Sequence, residues 1–176
     1  IEFQPTVLML FTLFLVVFID LLAFGIFIPN LPYYATQFGA TATELGLLMT
    51  SFSVMQFFFS PVWGRVSDRF GRRPVMLWTI LGTGIAMVFT AKASTLLGLF
   101  IARSIAGMCS GNISTAMAYI ADVTKEENRS KGMGMIGAAF GLGFIFGPAI
   151  GGVFSRYGYS APLFIAAALS AVNLVF

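Results

Sequence analysis

The sequence contains no histidine and one cysteine, Cys109, in 176 residues. Without histidine the chain lacks the commonest metal ligand and the commonest general base. A single cysteine leaves no internal disulfide. Charge is scarce as well: Asp, Glu, Lys and Arg make up 10% of the chain, against about 25% in soluble domains. The net charge is +3, but the basic residues sit in short connections and build no nucleic-acid face. There is no cleavable signal pattern, because the first apolar run is too long and has no basic segment before it. Apolar side chains are abundant instead, at 58% of residues with 20 Phe. A chain of this length cannot bury that much apolar surface inside itself, so lipid must cover the excess. These absences predict a protein that is not an enzyme and holds no cofactor or metal.

A membrane-crossing helix needs about 20 mostly apolar residues. Charged and turn residues divide the chain into six such runs, at about 6–29, 45–63, 75–91, 96–121, 132–154 and 161–176. The connections are too short to be linkers, which predicts one all-α bundle. Lys and Arg orient it. Arg65, Arg69, Arg72 and Arg73 lie between spans two and three, and Lys125, Arg129 and Lys131 between spans four and five. The opposite side carries Lys92 and Arg156. The positive-inside bias places the 2–3 and 4–5 connections in the cytoplasm, and the N-terminus with them.

Residues 64–71, GRVSDRFG, and 151–158, GGVFSRYG, agree at four of eight positions. The copies lie three spans apart and therefore on opposite sides of the membrane, the trace an inverted 3+3 repeat leaves. The second copy has lost the acid, so any charge-based role belongs to the first. There, Gly64 and Gly71 are expected to serve close approach or positive φ. Asp68 sits among four arginines, and Asp122 at the cytoplasmic end of span four is a natural partner for Arg72. We read Asp68–Arg72–Asp122 as a charge cluster that locks one conformation and breaks in another.

Two charged residues fall inside spans. Arg103 in span four is costly unless paired or hydrated, and such residues usually mark function. Asp20 lies nine residues from Pro29, and Arg103 lies seven from the start of span four. Both then sit about 10–14 Å below the outer face, a common depth that permits an Asp20–Arg103 pair. Gly107, Ser110, Gly111 and Ser114 follow Arg103 on one helical face and leave room beside it. Phe24 and Phe27 flank the Asp20 face and suit an apolar or aromatic substrate, although Phe is also common on lipid-facing surfaces. In span five, Gly134, Gly137, Gly141 and Gly152 fall on one stripe, and Gly143, Gly147 and Gly151 on another. Two small-residue stripes allow close contact with two neighbours. Pro148 frees a carbonyl near residue 144 and is expected to bend the helix. One stripe can pack on a helix of this bundle; the other has no candidate among six spans, and we assign it to a second half.

Four stretches resemble motifs of the major facilitator superfamily. GRVSDRFGRRPVML resembles its signature loop through Gly64, Asp68, Arg69, Gly71, Arg72, Arg73 and Leu77, with Val66 where Leu is usual. LFIARSIAGMCSG resembles the span-four motif of proton-coupled members through Leu99, Arg103 and Gly107, with Ala106 in place of Gln. IDLLAFGIFIPNLP is similar to the first helix of drug/proton antiporters, tetracycline exporters in particular. The stretch from Gly134 to Gly152 matches the antiporter helix motif at Gly134, Gly143, Gly147, Pro148, Gly151 and Gly152.

The resemblance implies a twelve-helix fold in two six-helix halves, of which this chain is the N-terminal half, with the C-terminal half absent. It implies that helices one and four line a central cavity, including Phe24, Phe27, Gly107, Ser110 and Ser114, with Asp20 as the proton-responsive acid and Arg103 as its counter-ion. The activity implied is proton-coupled export of an amphipathic, drug-like small molecule across a bacterial inner membrane. Its partners are then the small-molecule substrate, protons, membrane lipid and the missing half, and no nucleic acid. The alternative is a symporter or facilitator for a sugar or metabolite. Against it stand the span-five glycines and the scarcity of polar side chains in spans one and two, where Gln56 is almost alone. An intramembrane serine protease lacks the histidine it would need.

Overall fold

The computed structural model describes residues 5–176, with side chains from Leu8 onward. The chain start, which the charge pattern assigns to the cytoplasm, lies outside the described residues. Seven helices follow one another: α1 Pro5–Thr36, α2 Ala42–Phe70, α3 Arg72–Ala91, α4 Leu96–Cys109, α5 Asn112–Val123, α6 Glu126–Phe154 and α7 Ala161–Asn173. Helices α4 and α5 are the two halves of one broken span, Leu96–Val123. Counted so, five segments are long and apolar enough to cross a membrane, and Ala161–Asn173 is a shorter sixth.

Two expected boundaries move. Span one does not end at Pro29: α1 runs on through Pro29 and Pro32 to Thr36. Proline is tolerated in membrane helices where neighbouring groups re-satisfy the backbone. Around them, the Asn30 amide donates to the Ile26 carbonyl at 2.6 Å, and the Tyr34 hydroxyl ties this end of α1 to the carbonyls of Ala91 and Ala93 at the end of α3 and just beyond it. The 2–3 loop, for its part, shrinks to a single residue. Helix α2 continues to Phe70, and Gly71 alone, at φ 97° and ψ 155°, turns the chain into α3. Pro148 does not interrupt α6, which is continuous from Glu126 to Phe154.

Packing follows the repeat. The first helix of the first triplet, α1, packs on α6, the second element of the other triplet; the α4 half-helix packs on α2 in the same relation; and the two third helices, α3 and α7, pack on each other. The two turns also agree. Gly71 (φ 97°, ψ 155°) and Gly158 (φ 112°, ψ 154°) occupy the last position of the two sequence copies in nearly the same backbone conformation.

The α1–α6 contact is the most extensive of the bundle, and glycine makes it close. A Cβ on Gly147 would lie 2.6 Å from the Cα of Gly25, one on Gly143 2.8 Å from the Leu21 Cβ, and one on Gly151 2.8 Å from the Ile26 carbonyl oxygen. In lipid, such close approach is a main source of helix association, because apolar burial no longer discriminates protein from solvent. The other stripe is bare: Cβ atoms on Gly134, Gly137, Gly141 and Gly152 would meet nothing within 4 Å. Apolar side chains on α2 are equally unpartnered, Phe57 being 75% exposed.

Candidate functional site

Asp20 lines a cavity of about 740 Å³ between α1, α2, α5 and α6. Its apolar wall is Leu21, Phe24, Phe52, Phe57 and Phe140; its polar side is Ser53, Gln56, Ser60, Ser110 and Ser114. The volume falls in the range of small-molecule sites, about 300–1,000 Å³. Phe24 stands against Phe52 at 5.5 Å between ring centroids and meets the Phe144 edge at 6.3 Å. Across the cavity, Gln56 Nε2 donates to Ser110 Oγ at 2.9 Å, and the Ser60 and Ser114 hydroxyls are 3.4 Å apart. Phe24, Ser110 and Ser114 line this cavity with Asp20.

Phe27 and Gly107 do not. Phe27 is fully buried and turned from the cavity. Gly107 is a packing residue: a Cβ there would collide with the Phe52 backbone and with Met55, so its room is filled by α2.

The Asp20–Arg103 pair is not formed. The guanidinium of Arg103 lies between two phenyl rings, 4.5 Å from the Phe27 centroid and 4.3 Å from that of Phe52. It is 4% exposed, and its Nε and Nη1 have no hydrogen-bond partner. Cation–π contacts of this kind are worth about 2 kcal/mol each when desolvated. The depth argument failed because of the helix end it counted from. Measured from Thr36, Asp20 is about 24 Å along α1, whereas Arg103 is about 10 Å from the start of α4.

The neighbour of Asp20 is instead Asn112, whose side chain lies beside the carboxylate. Asn112 is 2% exposed, and its Nδ2 makes no hydrogen bond of good geometry. It opens α5, just past the break at Ser110 and Gly111. Trp63 of α2 fills the break and donates its indole N–H to the Met108 carbonyl at 2.6 Å. Neither Asn112 nor Trp63 was a candidate in the sequence. The available signal was the run Ser110-Gly111-Asn112, three residues that favour caps and turns over helix interiors.

The charge cluster at the α2–α3 turn is present. Arg72 Nη1 lies 2.7 Å from Asp68 Oδ1, and Arg72 Nε lies 2.8 Å from Asp122 Oδ2. Ser67 accepts from Arg72 Nη1 at 2.6 Å and donates to the Gly64 carbonyl at 2.8 Å. Arg129 Nη2 donates to the carbonyl of Ala121, the residue before Asp122, at 3.2 Å. The two carboxylates hold the Arg72 pKa above its ordinary value, so it is a cation at every relevant pH. These are the two ion pairs among the described residues. Arg69 and Arg73 stay outside: Arg69 lies over the Phe70 ring at 5.6 Å, and Arg73 borders a separate cavity of about 300 Å³. Gly64 does not serve the turn. It lies inside α2 with open space around it, and the positive φ falls on Gly71 alone.

Residues 13–176 match the Major Facilitator Superfamily family. The chain belongs to the major facilitator superfamily. It is 40% identical over 158 residues to the tetracycline resistance protein, class E, of Escherichia coli, covering 88% of this chain and 39% of that protein. It is 31% identical over 160 residues to multidrug resistance protein 2 of Bacillus subtilis, covering 90% and 40%. Among solved structures, the human organic anion transporter MFSD10 (TETRAN) superposes with a TM-score of 0.86 at 31% identity, covering 98% of this chain and 46% of that one. The chain spans about two fifths of the length of the curated relatives it matches, as expected of the N-terminal half of a superfamily transporter. Membership in the superfamily and the run of long apolar helices make it a multi-pass membrane protein.

Proposed function

We propose that the chain is the N-terminal half of a proton-coupled antiporter that exports an amphipathic, drug-like small molecule by alternating access. The carrying observation is the cavity: one carboxylic acid, Asp20, set in a largely apolar lining with four phenylalanines, one amide and four hydroxyls. Relatives named for tetracycline and multidrug resistance support that substrate class. In this reading the substrate lies on Phe24, Phe52 and Phe57, and Asp20 takes up and releases the coupled proton. Arg103 stands behind Phe52 with two unused donors. Displacement of Phe52 by substrate brings that cation to the cavity, which couples occupancy to the electrostatics of the site. The open glycine stripe of α6 and the bare face of α2 receive the C-terminal half. The proton gradient is the driving force and no cofactor takes part. The charge cluster faces the cytoplasm of a bacterial inner membrane.

The test is substrate efflux from vesicles holding the full-length transporter under an imposed pH gradient. Asp20→Asn is expected to abolish gradient-driven efflux while substrate still binds. Unchanged efflux with unchanged pH dependence removes Asp20 from the coupling role. Competition by hydrophobic cations, and none by sugars, separates this reading from the symporter or facilitator.

A further inference from the structure

The break in the fourth span is built into the bundle. In an unbroken helix the Met108 carbonyl would accept the backbone N–H of residue 112. At Ser110 the backbone leaves helical geometry, with φ −80° and ψ 62°. The Trp63 indole supplies the missing donor to Met108 at 2.6 Å. Gly111 is required by the same arrangement, because a Cβ there would stand 2.6 Å from atoms of the Trp63 ring. On the far side, the Gly111 carbonyl keeps its helical partner, the Thr115 N–H at 3.1 Å, and also accepts from the Ser114 and Thr115 hydroxyls at 3.0 and 2.8 Å. Both carbonyls flanking the break are thus partnered, Met108 by a side chain in place of the backbone.

Among the buried side-chain groups described at the break, the Nδ2 of Asn112 is left without a partner. Its side chain lies beside Asp20. An unpartnered buried donor is costly to retain, which calls for a state of the site that uses it. A primary amide is suited to a carboxyl group that changes protonation. Its NH2 donates to the carboxylate, and its carbonyl accepts from the carboxylic acid. The other amide of the cavity, Gln56, is already engaged with Ser110.

No other titratable or charged side chain among the described residues lines this cavity with Asp20. Helix α2 presents Ser53, Gln56 and Ser60, α5 presents Ser114, and α6 presents Phe140. Helix α7 contains no titratable residue between Ala161 and Asn173. Tyr119, on α5, borders the separate cavity. The nearest intramembrane cation, Arg103, is held between two rings.

We infer that Asn112 is the positioning residue for Asp20, set against the carboxyl by a break in the fourth span that Trp63 keeps open, and partnering it in both protonation states. This rests on the reading of Asp20 as the coupling acid, and the experiment separates the two. Hydrogen bonds to an ionised acceptor are roughly twice as strong as neutral ones, so loss of Asn112 removes more support from the carboxylate than from the acid.

Difference infrared spectra of the full-length transporter, recorded across a pH titration, carry the carbonyl band of the protonated acid; the Asp20 band is the one lost in Asp20→Asn. In Asn112→Leu that band is expected to move to higher frequency, and the pH midpoint of efflux to move toward alkaline by about one unit. Trp63→Phe keeps an aromatic ring, though a smaller one, and removes the indole N–H; it is expected to move the band in the same direction by less, and serves should Asn112→Leu fail to assemble. A band unmoved in the variant that assembles overturns the inference. A band that moves in Asn112→Leu, in a protein whose Asp20→Asn form still couples efflux to the gradient, upholds the inference and removes Asp20 from the coupling role.

Discussion

Arg103 shows that a buried charge can be kept without an acid. Removing one partner of a buried ion pair leaves the other charge stranded, whereas two ring faces at 4.5 and 4.3 Å hold the guanidinium without fixing its donors. The sequence marked this residue as special by its place in a span, and that much was legible. The identity of its partners was not, since both are phenylalanines in a chain that has 20. Glycine was more legible, because its helical spacing separates two stripes without coordinates. The structure adds which stripe is engaged. Gly147→Ala forces a methyl group onto the Gly25 backbone and is expected to destabilise the bundle by about 1–3 kcal/mol. Gly137→Ala meets open space and is expected to leave the stability of this half unchanged or raise it by up to about 1 kcal/mol. Thermal unfolding of the half in detergent compares the two, and equal destabilisation would remove the distinction between the stripes.

At the level of elements, the errors come from treating punctuation residues as they act in water. Pro29 was read as an end, but α1 passes through it and through Pro32, and the depth of Asp20 was misplaced by that count. Ser110-Gly111-Asn112 was read as the interior of a span, yet the helix parts there because Trp63 can take over a backbone hydrogen bond. That exchange depends on a side chain 45 residues away, and local propensity carries no trace of it. The start of α2 behaves as its sequence dictates. Thr41 and Glu44 form a reciprocal capping box, and hydrogen bonds from the Thr41 backbone and side chain hold the Glu44 carboxyl below its ordinary range. A carboxyl depressed in the folded state adds stability above the ordinary glutamate range, and that share is lost as the pH falls through the folded-state value. Glu44→Gln is therefore expected to flatten the acid side of the stability–pH curve and leave the neutral region little changed. Melting temperatures taken from pH 7 downward measure it; an unaltered acid slope rules the contribution out.

For the whole molecule, the informative property of the Asp68–Arg72–Asp122 cluster is its modest strength. The side chains of Asp68 and Asp122 are 64% and 54% exposed, and ion pairs at such sites are worth about 0–1 kcal/mol. That is too little to hold a fold and enough to bias two conformations of similar energy. Asp68→Asn is expected to shift the population toward states open on the face of the cluster by up to roughly fivefold. The labelling rate of Ser53→Cys by a membrane-impermeant thiol reagent, in a Cys109→Ser background, reports that opening. A rate equal to that of the protein with Asp68 intact counts against a locking role.

The two turns at Gly71 and Gly158 have one bend and two chemistries. A backbone conformation is indifferent to which side of a bilayer it occupies, so the same peptide shape closes a hairpin in either aqueous compartment. Arginine is not indifferent to side. Four of them surround the first bend, and Arg156 stands alone near the second. Shape and address are thus written in separate alphabets within ten residues. The glycine that ends each copy holds the bend, while the charge around it is free to differ between the two sides.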